Sequence, residues 1–143
     1  MDVETNKRNV RRVFEEAFTQ GRLEVVDECI AADGIDRHDF EPGQDFRGHM
    51  KQVITMLRSA LPDLTMTVAD LVGEGDRVAA RVLLRGTHTG APLLAVEAGG
   101  RAVEVEQFHF MQCNDAGQGR VHWANVGLAE LLAQLTGDPS PVG

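Results

Sequence analysis

Tyrosine is absent from the sequence, tryptophan occurs once and cysteine only twice. Cys29 and Cys113 follow neither a CxxC nor a Cys-His spacing, which argues against structural zinc and leaves them as buried free thiols. Basic residues are also sparse: 14 Lys and Arg against 22 Asp and Glu give a formal net charge of −8. Lys7, Arg8, Arg11 and Arg12 lie near the start, Arg81 and Arg85 stand apart, and no aromatic stripe runs among them. Affinity for a phosphate backbone comes from clustered Lys and Arg, so no nucleic-acid partner is expected. No apolar run approaches a membrane span, and residues 1–20 are charged throughout without the apolar region of a signal peptide. No membrane partner is therefore expected, and the cytoplasm is the expected compartment. HxxxH and HxH spacings, Gly-rich phosphate loops and nucleophile elbows are missing as well, so neither a metal nor a cofactor is expected.

What is present is a change of hydrophobic period along 143 residues, a length that suits one domain with a real core. Val10, Val13, Phe14, Ala17 and Phe18 recur at helical spacing within Asn6 to Gln20. Leu23 to Ala32 reads as a shorter helix, and Gly34 to Phe46, with Pro42-Gly43, as a loop. Gly48 to Ala60 resumes the helical period, and Pro62 forbids its continuation. The period then becomes two. Leu64, Met66 and Val68 begin a strand, and Gly73-Glu74-Gly75-Asp76 turns it into a second strand, Arg77 to Arg85, as a hairpin. Ala91 to Gly100 reads as a loop with one helical turn. Arg101 to Gln112 and Arg120 to Val126 are the remaining strands, Leu128 to Leu135 a closing helix. Helices followed by a run of strands give an α+β fold: a curved antiparallel sheet packed against three helices around a pocket, an α+β barrel. The domain is expected over residues 1–137, with 138–143 as a frayed tail.

Strand alternation puts Val103, Val105, Gln107, His109 and Met111 on one face, and Glu104, Glu106, Phe108 and Phe110 on the other. A buried Gln-His pair must be hydrogen-bonded, either as a structural network or as polar groups aimed into an apolar pocket. In the second case the amide holds a substrate oxygen and the imidazole moves a proton near neutral pH, with Met111 beside them. Trp123 and Asn125 share a face of the last strand, as an aromatic wall beside an orienting amide, or as plain core and a loop contact. His122, Ala124 and Val126 occupy its opposite face. His38, within Asp36-Arg37-His38-Asp39, is either a base held by carboxylates or an exposed side chain. His88 stands at a strand end where pocket lips occur, His49 is expected in solvent at a helix start, and Arg81 is expected in an ion pair on the outer sheet face. Phe108 and Phe110 on that outer face point to a homodimer.

Several segments, in order, resemble the SnoaL-like polyketide cyclases of the nuclear-transport-factor-2-like class. They are Val10-Arg11-Arg12-Val13-Phe14-Glu15-Glu16-Ala17, Gly21-Arg22-Leu23-Glu24, His38-Asp39 and Arg58-Ser59-Ala60-Leu61-Pro62-Asp63-Leu64. Gly75-Asp76-Arg77-Val78-Ala79, Arg85-Gly86-Thr87-His88-Thr89-Gly90 and His122-Trp123-Ala124-Asn125 follow. The resemblance implies a cone-shaped fold with a mostly apolar central cavity, often dimeric, in which a Gln and a His two apart face an aspartate. Gln107 and His109 match the first two. The aspartate belongs on or just after the final strand, where this sequence has Ala124-Asn125-Val126-Gly127-Leu128-Ala129 and no carboxylate before Glu130. The implied activity is cyclisation or proton abstraction on a polyketide-like or other hydrophobic cyclic substrate, with His109 as base alone or with His38 sharing the work. The alternatives are a non-catalytic binder of a small hydrophobic molecule and a cofactor-independent hydroxylation in which the substrate itself activates oxygen.

Overall fold

The computed structural model describes residues 2–37 and 44–137; His38, with the rest of 38–43, and the 138–143 tail lie outside the described residues. Helix α1 (Val3–Arg12) starts where the Asp2 side chain accepts a hydrogen bond from the Glu4 N–H, and Arg11 and Arg12 occupy its last turn. It runs directly into a π-helical stretch, Val13–Phe18, whose wider turn keeps Phe14, Ala17 and Phe18 all buried. Phe14 and Phe18 stack there with ring centroids 5.8 Å apart. Helix α2 (Glu24–Cys29) is short, and α3 (Phe46–Ala60) begins at Asp45, whose carboxylate accepts from the Gly48 N–H. Helix α4 (Leu128–Thr136) starts at Gly127, whose φ of +66° and closeness to Val105 leave no room for a Cβ.

The six strands are β1 (Ile30–Asp36), β2 (Gln44–Asp45), β3 (Thr65–Glu74), β4 (Arg77–Thr87), β5 (Ala102–Cys113) and β6 (Gly119–Asn125), in the sheet order β2-β1-β6-β5-β4-β3. The β3–β4 hairpin turns through Gly75 at φ +59°, as its turn residues predict. Register shifts in β3, at the end of β5 and in β1 mark irregular points of the kind that bend a strand, and the sheet curves over the helices. On the concave face Val78, Ala80, Val82 and Leu84 of β4 and Val103, Val105, Gln107, His109 and Met111 of β5 are buried, alternating with exposed neighbours. The opposite face carries Arg81 between Asp70 at 2.6 Å and Glu106 at 3.0 Å, the ion pair its alternation predicts.

Three expectations need correcting. The sheet is open and not a closed barrel, and it is mixed, because β1 runs parallel to β6. Ile30 to Asp36 is a strand, where the sequence reads as the end of a helix and a loop; helix α2 passes into it at Ile30 without a Gly or Pro to mark the change. The turn within 91–100 is not helical: Leu93 and Val96 bridge around Leu94 and Ala95, both left-handed at φ 50° and 62°. Cys29 and Cys113 are buried and unbridged, and burial pushes both thiols up, Cys113 to about 11. Among the described residues, no helix is long and apolar enough to cross a membrane.

Candidate active site

Between the concave sheet face, α3 and α4 lies a cavity of about 240 Å³. Phe18, Met50, Leu57, Met66, Leu84 and Leu131 are among its apolar walls, and Met56, Leu94 and Leu128, all more than a third exposed, form its rim. Among the described residues its polar lining is His49, Gln107, His109 and His122. Few polar groups in an apolar hollow is the usual composition of a small-molecule site.

Those four belong to one hydrogen-bonded cluster centred on Asp36. In the parallel register Asp36 lies directly beside His122, and both side chains are almost completely buried. His122 Nδ1 is 2.9 Å from Asp36 Oδ1, and His49 Nδ1 is 2.6 Å from Asp36 Oδ2. On its other edge His122 Nε2 meets His109 Nδ1 at 2.9 Å, and His109 Nε2 meets Gln107 Oε1 at 2.8 Å. The Gln107 Nε2 amide donates to the Val126 carbonyl at 3.3 Å, and this fixes which end of the amide faces His109. Two aromatic rings hold the imidazoles in place: Phe46 stacks on His122 at 4.9 Å and 6°, and Phe14 lies 4.5 Å from His109, tilted by 51°. The π-helical stretch that carries Phe14 and the helix start that carries Phe46 thus set the ring planes. A buried carboxylate with several charge-assisted partners is stable where a lone one is not.

The remaining candidates fall elsewhere. Trp123 and Asn125 do not join Gln107 and His109: they pair with Phe110 and Phe108 across β5–β6 and line a shallow hollow on the convex face. The cross-strand register decides this, because the face of β6 that holds His122 meets the buried face of β5. His88 is buried away from the cavity; its Nε2 donates to the Ala91 carbonyl at 2.9 Å, while its buried Nδ1 has no hydrogen-bond partner. It pins the 88–91 turn. Met111 is packed in the core, against Gly119, and does not line the cavity. His49 is not a solvent residue; its side chain is only 12% exposed. Asp36, His49 and His122 are the residues that the sequence reading passed over as site members. Among the described residues no group of three or more His, Cys, Asp or Glu is arranged to hold a metal ion.

A curved sheet whose concave face is covered by helices, with a cavity between them, defines a small α+β domain of the nuclear-transport-factor-2-like type. The model of the SnoaL-like polyketide cyclase family matches residues 8–135, and the chain belongs to that family. The fold is shared with TsrD from Streptomyces laurentii at a TM-score of 0.82 and 27% identity, over 94% of this chain and 97% of TsrD. IdmH, a proposed polyketide cyclase from Streptomyces antibioticus, is 30% identical with a TM-score of 0.76, over 92% of this chain and 98% of IdmH. AclR from Streptomyces galilaeus, a proposed hydroxylase, is 22% identical with a TM-score of 0.82, over 96% of this chain and 85% of AclR, a likeness of fold alone. No curated protein matches the sequence.

Proposed function

We propose that the protein is a SnoaL-like enzyme that removes a proton next to a carbonyl of a hydrophobic, polyketide-like substrate and promotes ring closure. The observation that carries this reading is the apolar cavity whose polar lining, among the described residues, is one amide and three imidazoles tied to a buried carboxylate. Proton abstraction at carbon needs a base near neutral pH and a donor for the oxygen that gains charge. The imidazole lining supplies the first requirement, and the second N–H of the Gln107 amide, whose partner N–H is spent on Val126, supplies the other. The volume limits the substrate. A cavity of about 150 Å³ accommodates benzene, and ligand sites span about 300–1,000 Å³. At about 240 Å³, this one suits a substrate part of one or two rings. The exposed face of Phe108, Phe110 and Trp123 is the proposed contact with a second copy of the chain.

The reading is tested with 2-tetralone, a two-ring ketone with acidic α-protons, incubated with the protein in deuterated buffer and followed by proton NMR. Deuterium incorporation at the α-carbon should outrun buffer and serum albumin at least ten-fold, and Gln107→Leu should slow it. Exchange at the background rate, with no binding of the ketone, would overturn the assignment.

A further inference from the structure

Resting on that reading, we propose that the turn at Leu94–Ala95 is a clamp that selects the substrate by what protrudes from the cavity. The turn holds the Leu94 side chain at the mouth, where it grips an apolar extension beyond the reacting rings. Leu94 is thus a specificity-determining residue, and the preferred substrate is a ring ketone with an apolar extension.

Strain is the first observation. Among the described residues, only Leu94 and Ala95 combine a side chain with a positive φ, 50° and 62°. Leu93 and Val96 exchange both backbone hydrogen bonds around them, at 2.9 Å and 2.8 Å. Such a two-residue turn ordinarily holds Asn-Gly or Gly-Gly, because a left-handed backbone disfavours any residue with a Cβ. Strain of this kind persists only where the surroundings impose it. Both flanks do so here. The Gly90 N–H donates to the Ala60 carbonyl at 3.1 Å and the Ala91 N–H to the Ser59 carbonyl at 2.9 Å, fastening the segment to the end of α3. On the far side the Gly100 N–H donates to the His88 carbonyl at 2.9 Å, and the His88 N–H to the Arg101 carbonyl at 3.0 Å. Leu93, only 1% exposed, anchors the turn in the core.

Place is the second observation. Leu94 lines the cavity and yet is 38% exposed, as are Met56 of α3 at 44% and Leu128 of α4 at 53%. Three separate elements therefore each bring one large apolar side chain to the same mouth. No Asp, Glu, Lys or Arg lines the cavity among the described residues. The cavity of about 240 Å³ takes one or two rings, so any further part of a substrate lies across this rim. An apolar part removes rim and substrate surface from water together, which is favourable. A charged part would lose hydration there and gain no partner. The backbone strain is then the means of keeping a leucine, which would otherwise fold away, at the point where an extension must pass.

The test compares equilibrium binding of 2-tetralone and 6-hexyl-2-tetralone by titration calorimetry, so it needs no turnover. The wild-type protein should bind the hexyl ketone about ten-fold more tightly than its parent, or better. Asparagine tolerates the left-handed backbone, so Leu94→Asn keeps the turn and removes only the apolar reach. It should cut the preference for the hexyl ketone about five-fold, while Leu94→Met, which restores the reach, should retain it. A wild type that binds the hexyl ketone no more tightly than its parent would overturn the proposal, and so would a Leu94→Asn protein with the wild-type preference. The outcome is separable from that of the proposed function. A preference that falls in Leu94→Asn, with neither ketone deuterated above background, would fault the reaction and leave the clamp standing. Deuteration of 2-tetralone with equal binding of the two ketones would fault the clamp alone.

Discussion

Replacing Asp36 by Asn keeps the shape of the side chain and removes its charge, so it isolates what the carboxylate does for the fold. Asp36 is buried and accepts from two imidazoles, at 2.6 Å and 2.9 Å. An asparagine oxygen satisfies one of them. Its NH2 group is then aimed at a second imidazole N–H, and that ring loses its acceptor. A charge-assisted hydrogen bond contributes about 1.5–3 kcal/mol, and breaking one partner of a buried ion pair costs about 3–5 kcal/mol. Asp36→Asn should therefore destabilise by about 3 kcal/mol. For a domain near 150 residues this is a fall in Tm of about 6–12 °C. Asp33→Asn is the control. Asp33 pairs with Arg120 at 3.2 Å on the surface with its side chain 70% exposed, and its loss should cost less than about 0.5 kcal/mol. Urea titration with calorimetry reads both. Asp36→Asn within 0.5 kcal/mol of wild type, like the control, would refute the claim that the cluster is held by a buried charge.

The left-handed Ala95 should prefer glycine: Ala95→Gly relieves a φ of 62° and should raise stability by about 0.5–1 kcal/mol, and a lower Tm would contradict it. Phe108, half-exposed on the convex face, should be at a dimer contact, so light scattering should report a dimer for wild type and a monomer for Phe108→Asp; a wild-type monomer at high concentration ends that reading. The Cys113 thiol is held up to about 11, above its ordinary 9.0, so the unfolded chain gives up this proton first and stability should fall between pH 9 and 11. The loss should be on the order of 1–2 kcal/mol by pH 10.5 relative to Cys113→Ala, and urea midpoints for the two proteins that stay parallel over this range would rule it out.

Much of this architecture was legible as periodicity. The alternation through residues 103–111 put Gln107 and His109 inward and Phe108 and Phe110 outward, as burial has it. The β3–β4 turn was equally plain, because Gly75 is the residue such a turn needs. What the alternation of one strand cannot supply is its alignment with the next. Residues 121–126 offered two faces, and only pairing Trp123 with Phe110 reveals that His122 is the inward one. Asp36 was hidden for a related reason. In Ile30-Ala31-Ala32-Asp33-Gly34-Ile35-Asp36 the last residue reads as a solvated loop carboxylate until a parallel neighbour covers it. A short strand that leaves a helix without a breaker has no local mark, and a histidine at a helix start, such as His49, looks exposed when its partner is unseen. The resemblance called for a carboxylate on the final strand; here the carboxylate beside that strand comes from β1.

The parallel pairing of β1 with β6 has a consequence for synthesis. Asp36 and its neighbour His122 are separated by 86 residues. A chain leaving the ribosome can offer this aspartate His49 early, but its second imidazole arrives only when nearly all of the domain has emerged. Docking of the last strand therefore adds His122 to the cavity lining and covers the buried carboxylate in the same event.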